Sequence, residues 1–136
     1  MKYDMTYSEK PRMIVATLEG LSDVEGCLRA ATEARKAADE KNCNVIYDVR
    51  PTQFNFSTVD WYEWPRNIAA QNVGLPSKLA VLCRERSDFI SFFETAAQNA
   101  GQNVRVFTDY DEAVQWVAVT RPEDPTRNQR EESPSG

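Results

Sequence analysis

The chain has 136 residues, of which 16 are basic, 21 acidic and none histidine, giving a formal charge of −5 and an isoelectric point near 4.8. Without histidine there is no Ser-His-Asp or Cys-His nucleophile system, no histidine general base and no imidazole metal ligand, and the five glycines form neither G-x-G-x-x-G nor a phosphate loop ending in G-K-[ST]. The acidic balance argues against nucleic acid, whose phosphates need clustered lysine and arginine. No apolar run approaches a transmembrane segment, and Met1 to Thr6 hold no signal-peptide core.

Taken in order, Tyr3, Met5 and Tyr7 alternate with polar residues and Ser8-Glu9-Lys10-Pro11 reads as a turn. Arg12 to Glu19 then reads as a second strand with Ile14, Ala16 and Leu18 on one face, completing an antiparallel hairpin. Gly20 is expected to break that strand. Ser22 and Glu25 have capping-box spacing, and Val24, Cys27, Leu28, Ala31, Ala34 and Ala38 make one stripe of a helix running to about Lys41. Val45 to Val49, Leu79 to Cys83 and Val104 to Phe107 are short apolar runs of the kind covered on both faces in a parallel sheet. Between them, Ser87 is placed to cap a helix over Asp88 to Ala100 that stops at Gly101. Asp109 is placed to cap a last helix over Tyr110 to Val117. From Thr58 to Asn72, residues Val59, Trp61, Tyr62, Trp64 and Ile68 suit an apolar helix face, but Pro65 would crowd the carbonyl of Trp61, so a kink or a restart at Pro65 is expected. Residues 120–136 hold three of the seven prolines and no apolar side chain, the composition of a disordered tail. The expected organisation is one α/β domain over 1–119 followed by that tail, with strands and helices alternating into a mostly parallel sheet.

Chemistry in such a sheet gathers beyond the carboxyl ends of the strands. There Asp48 reads either as a general base or as a carboxylate paired with Arg50 and loop amides, the pairing being favoured. Arg84 and Arg86 beside the Ser87 helix start read either as an anion site or as solvated surface charges. The aromatics Phe54, Phe56, Trp61, Tyr62 and Trp64 either cover a sheet edge or grip an apolar ligand or a partner. Cys27, Cys43 and Cys83 are odd in number with no C-x-x-C spacing and read as reduced cytosolic thiols. Cys83 fails as a phosphatase nucleophile because Phe89 stands where a C-x5-R loop needs arginine.

The run Leu18-Glu19-Gly20-Leu21-Ser22, the strand Val45 to Arg50, Lys78 to Leu82, and the closing Val104 to Phe107 with Asp109 to Val117 resemble the STAS-like fold of bacterial anti-sigma-factor antagonists. The likeness is strongest to the small SpoIIAA-like group, related to lipid-binding SEC14 domains, and it spans about residues 12 to 118. It implies an α/β single domain in which an N-terminal antiparallel hairpin leads into a mostly parallel sheet flanked by about four helices. It also implies that a serine at the start of the helix after the central strand is phosphorylated by a partner kinase. Ser57 is the matching position, followed by Thr58, although Phe56-Ser57-Thr58-Val59 replaces the family's Asp-Ser-Ser-Gly signature; the plain alternative is that Ser57 caps the helix.

The sequence therefore points to a cytoplasmic, non-enzymatic binding or regulatory module with no cofactor or metal. It would contact a protein partner, or a second copy of itself, through the Ser57 loop and the Trp61, Tyr62 and Trp64 helix. A pocket for a lipid or small apolar ligand is the alternative, and an enzyme using Asp48 comes third.

Overall fold

The structure, a computed structural model, describes residues 2–71 and 77–118. The expected disordered tail at 120–136 and the end of the helix at Asn72 lie outside the described residues. The chain begins with a hairpin of β1 (Lys2–Glu9) and β2 (Arg12–Ser22), in which Met5 stands opposite Ala16 and Tyr7 opposite Ile14. The turn is shorter than expected: pairing continues to Glu9 and Arg12, leaving Lys10 and Pro11 to reverse the chain.

Gly20 does not end β2. It adopts φ +97°, a conformation that glycine reaches without Cβ strain, and its N–H donates to the Pro51 carbonyl at 3.0 Å. At that bend β2 leaves β1 and pairs instead with a short parallel strand, β4 (Thr52–Phe54), too short to show a period in the sequence. The helix cap shifts by one residue for the same reason. Ser22 still belongs to β2, so Asp23 caps α1 (Val24–Lys41) by accepting from the Gly26 N–H at 2.8 Å.

The stripe of α1 is made of small residues, with Ala30, Ala31, Ala34 and Ala38 buried, and this lets the helix lie close to the sheet. Next come β3 (Asn44–Asp48), β4, α2 (Thr58–Gln71), β5 (Leu79–Leu82), α3 (Asp88–Asn99), β6 (Val104–Phe107) and α4 (Tyr110–Ala118). The strand order is β1-β2-β3-β5-β6, parallel after the hairpin, with β4 paired to β2 off this path. Successive right-handed crossovers in one direction put α1, α2 and α3 on one face, where they share a core with Val45, Tyr47, Leu79 and Val81. After β6 the chain turns back, and α4 covers the other face over Ile46, Ala80 and Leu82. Gly101, at φ +85°, ends α3 in a Schellman arrangement: its N–H donates to the Gln98 carbonyl and that of Gln102 to Ala97. Among the described residues no helix is long and apolar enough to cross a membrane.

Candidate functional site

Ser57 starts α2 with a reciprocal cap. Its Oγ accepts from the Asp60 N–H at 3.1 Å, while its own N–H donates to Asp60 Oδ2 at 2.9 Å. Both Ser57 and Thr58 are exposed. The helix neither stops nor restarts at Pro65; it runs unbroken from Thr58 to Gln71 with Pro65 inside and buried. A proline there costs helix hydrogen bonding, and the packing of α2 offsets that cost: Trp64, Pro65 and Ile68 all enter the core.

The 3.6-residue period divides the aromatics into three depths. Trp64 is innermost at 6% exposure, with its ring 5.4 Å from Phe56 and 6.4 Å from Phe93. Phe54, Phe56 and Trp61 are half-buried and mutually packed at 4.7–5.3 Å, and Trp61 stacks on Phe89 at 5.5 Å with an 8° interplanar angle. Outermost are Val59 at 61% and Tyr62 at 57% exposure, beside Phe92 at 40%, whose ring meets that of Tyr62 edge-on at 5.1 Å. The expected five-residue inward face is thus corrected: Val59 and Tyr62 point to solvent. The expected contact surface is corrected as well, because Trp64 lies too deep for a partner to touch. Phe92 was missed because it falls off the Phe89, Phe93 and Ala97 stripe of α3, and that displacement is what exposes it.

Beneath Trp61 lies an apolar cavity of about 30 Å3, walled by Cys27, Tyr47, Trp64, Ile68 and Phe93 among others. That is room for about one water and far too little for a lipid chain. Outside it, at the carboxyl ends of β3 and β5, a cleft of about 190 Å3 is bordered by Arg50, Arg84, Glu85 and Ser87. Val49, Phe54, Trp61 and Ile90 wall both spaces, so they form the partition between them.

The polar groups at this strand edge are mostly committed to the fold. Asp48 accepts from the Arg50 N–H at 3.0 Å and from its guanidinium at 2.9 and 2.8 Å, the pairing favoured from sequence. Arg84 Nε donates to the Arg50 carbonyl at 2.7 Å. Of the three residues expected to hold an anion, Arg86 is ion-paired with Glu94 and donates to the Val106 carbonyl at 3.1 Å, and Ser87 Oγ accepts from the Ile90 N–H at 3.1 Å as the α3 cap. Of the two arginines, Arg84 is the one that lines the cleft. Among the described residues no cluster of carboxylates and thiols is arranged to hold a metal.

All three cysteines are unbridged and buried. Burial, with Asp23 adding to it, pushes the Cys27 thiol up from 9.0 to about 12, and burial raises that of Cys83 against the opposing pull of Arg86. Burial and Glu33 likewise push the Tyr3 phenol up from 10.0 to about 12, and burial holds Tyr47 well above its ordinary value. These acids keep their protons longer in the folded than in the unfolded chain. Their contribution to stability is therefore intact below about pH 9 and lost progressively as pH rises toward 12. The folded protein should leave a thiol reagent unreacted at pH 8 and yield all three thiols in denaturant, and circular dichroism should show base-induced unfolding beginning above about pH 9. A thiol that reacts immediately in the native protein would contradict this.

The architecture is that of the anti-sigma factor antagonist SpoIIAA in its unphosphorylated form, which superimposes with a TM-score of 0.52 over 87% of this chain and 99% of that one at 10% identity. An uncharacterized DUF3478-family protein with a SpoIIAA-like fold, from Shewanella loihica PV-4, is similar with a TM-score of 0.49 over 85% of this chain and 92% of that one at 13% identity. No protein-family model matches the chain, and no curated protein matches it in sequence. The chain therefore has the SpoIIAA-like α/β fold that its sequence pattern implied.

Proposed function

We propose that this protein is a non-enzymatic regulatory module of the cytoplasm that binds another protein through the outer face of α2 and α3 and the Ser57 loop leading into it. The observation that carries the reading is the exposed apolar set Val59, Tyr62 and Phe92 on adjacent helices, since contiguous apolar surface on a soluble domain usually marks a contact site. Tyr62 packs edge-on against both Phe92 and Phe89, and Phe89 in turn stacks on Trp61, so the Tyr62 ring is held in place before any partner arrives.

Two further points support binding over catalysis. The groups that could do chemistry are engaged elsewhere: Asp48 by Arg50, Arg86 by Glu94, Ser87 by the α3 amides, and the thiols by burial. The fold is also shared with a protein named as an antagonist of an anti-sigma factor, a fold-level analogy to a protein-binding role. Ser57 is our candidate control point. A phosphate on its Oγ would meet the free amides at the start of α2 and add negative charge beside Asp60, at the border of the apolar face, where it would repel an acidic partner surface. The three unbridged cysteines fit a reducing compartment. A small apolar ligand is the second reading, favoured by the shared partition: if Trp61 turned, the cavity and the cleft would join.

The test compares wild-type and Tyr62→Asp proteins as baits in extract of the producing cells, followed by titration of the purified partner. Tyr62 is exposed, so the variant should fold normally while its affinity falls at least about tenfold, as for an aromatic anchor of an interface. Equal affinity for both baits would overturn the reading. So would lipid co-purifying with both in native mass spectrometry while no protein partner is recovered.

A further inference from the structure

The two edges of the sheet are finished differently. In β6 the outward backbone groups are taken up by side chains of α3 and of the segment just before it: Glu94 accepts from the Val106 N–H at 2.7 Å, Arg86 donates to the Val106 carbonyl at 3.1 Å, and Gln98 donates to the Val104 carbonyl at 2.9 Å. The Arg86–Glu94 ion pair ties two of these groups together, so a strand adding there would have to displace them. The opposite edge, β1, has no such cover. It is eight residues long, contains neither proline nor glycine, and pairs with β2 throughout. Among the described residues, no hydrogen bond reaches its backbone from any element other than β2. Proteins normally blunt a long edge of this kind, because its free N–H and C=O groups are a template for another strand.

β1 also carries an uncovered stripe. Tyr3, Met5 and Tyr7 lie on the α1 side of the sheet, opposite the buried Leu18, Ala16 and Ile14, yet Met5 is 41% and Tyr7 36% exposed. The stripe is held in place: the Tyr3 hydroxyl donates to the Ala30 carbonyl at 3.3 Å, and the Lys41 ammonium stands 4.8 Å above the Tyr7 ring.

We infer that β1 is a self-association edge, on which a second copy of this chain adds its own β1 antiparallel to close a two-fold dimer with one continuous sheet. The occupant follows from the strand's own symmetry. Tyr3-Asp4-Met5-Thr6-Tyr7 is nearly palindromic about Met5. With Met5 on the axis, Tyr3 faces Tyr7 of the other copy, Asp4 faces Thr6 and Lys2 faces Ser8, so the apolar stripes join and no like charges meet. Moving the axis to Thr6 would set Lys2 against Lys10 and Tyr3 against Glu9, which disfavours that register. Such an interface is isologous and consumes the open edge of each copy; with β6 sealed, assembly stops at two.

Size-exclusion with light scattering, from micromolar to near-millimolar chain, should give a mass rising from 15.5 kDa toward twice that value. Met5→Lys, a change at an exposed position that places two ammonium groups on the axis, should weaken association roughly tenfold or more. Tyr62→Asp, on the separate α2 face, should leave the mass unchanged. Hydrogen exchange of the wild type gives a readout that needs no variant: β1 amides should gain protection as concentration rises. A chain that stays monomeric with β1 amides exchanging equally fast at every concentration overturns the inference. So does a dimer that survives Met5→Lys but dissociates with Tyr62→Asp, which would assign self-association to the α2 face.

Discussion

Replacing Arg35 with alanine should destabilise the protein by about 3–5 kcal/mol, a large part of a typical domain's stability. Arg35 sits on the buried stripe of α1 and is 1% exposed. Its Nε donates to Ser77 Oγ at 3.3 Å, its Nη1 to Gln102 Oε1 at 3.1 Å and its Nη2 to the Ser77 carbonyl. One side chain thus ties α1 to the segment entering β5 and to the connection between α3 and β6. Burial pulls the guanidinium down to about 10 while Asp39, one turn on, pulls it back up, so it stays charged at neutral pH. Truncation leaves a void and strips donors from the buried Ser77 carbonyl and the half-buried Gln102 amide, and these penalties add. Arg35→Met keeps most of the volume but leaves the acceptors unpaired, and should cost about 1–3 kcal/mol. Urea unfolding followed by circular dichroism measures both. A loss below about 1 kcal/mol for alanine would show that the site relaxes without its guanidinium.

What the sequence made legible was whatever periodicity controls. Val45 to Val49, Leu79 to Cys83 and Val104 to Phe107 are short, mostly apolar, β-branched-rich runs that suit sheet strands, and the alanines of α1 leave one face for the sheet. Arg35 escaped notice because a charged residue on an apolar stripe reads as an interruption; that it lies four residues beyond Ala31, squarely on the stripe, was the available signal. β4 escaped because three residues carry no period, and only the bend at Gly20 brings β2 within reach of them. Ser22 lost its cap to Asp23 because strand pairing with Phe54 outlasted the apparent break.

The candidate site was less legible than the fold, for a chemical reason. Serine at a helix start, arginine after a strand and aspartate beside arginine are the residues of anion sites and switches, and they are equally those of caps and edge seals. Ser87 and Arg86 proved to be the second kind, while Ser57 is a cap that remains exposed enough to be modified. Only depth within α2 and α3 separates the aromatics that hold the core from those that face outward, and depth depends on where Pro65 is buried, which local pattern does not specify.

Trp64→Ala should therefore act on stability first, costing about 3–5 kcal/mol as for other buried aromatics. Its indole packs against Phe56 and Phe93 and walls the cavity of about 30 Å3. Removing it should enlarge that space to the order of 150 Å3, a dry apolar hole of the kind that takes up benzene. Two measurements check this: a fall in the thermal midpoint of the variant, and its partial recovery when benzene is added, with no benzene effect on the wild type. Tyr62→Ala, two residues earlier on the outer side of α2 at 57% exposure, should change stability by no more than about 0.5 kcal/mol. This pair of variants separates the two roles that neighbouring aromatics on one helix perform. If Trp64→Ala were as stable as wild type, the indole would not be part of the core, α2 would sit higher on the sheet, and the binding face would extend inward to Trp64. If the loss is as large as expected, Trp64 is the floor that keeps α2 in place, and the proposed contact face is left to the exposed Val59, Tyr62 and Phe92.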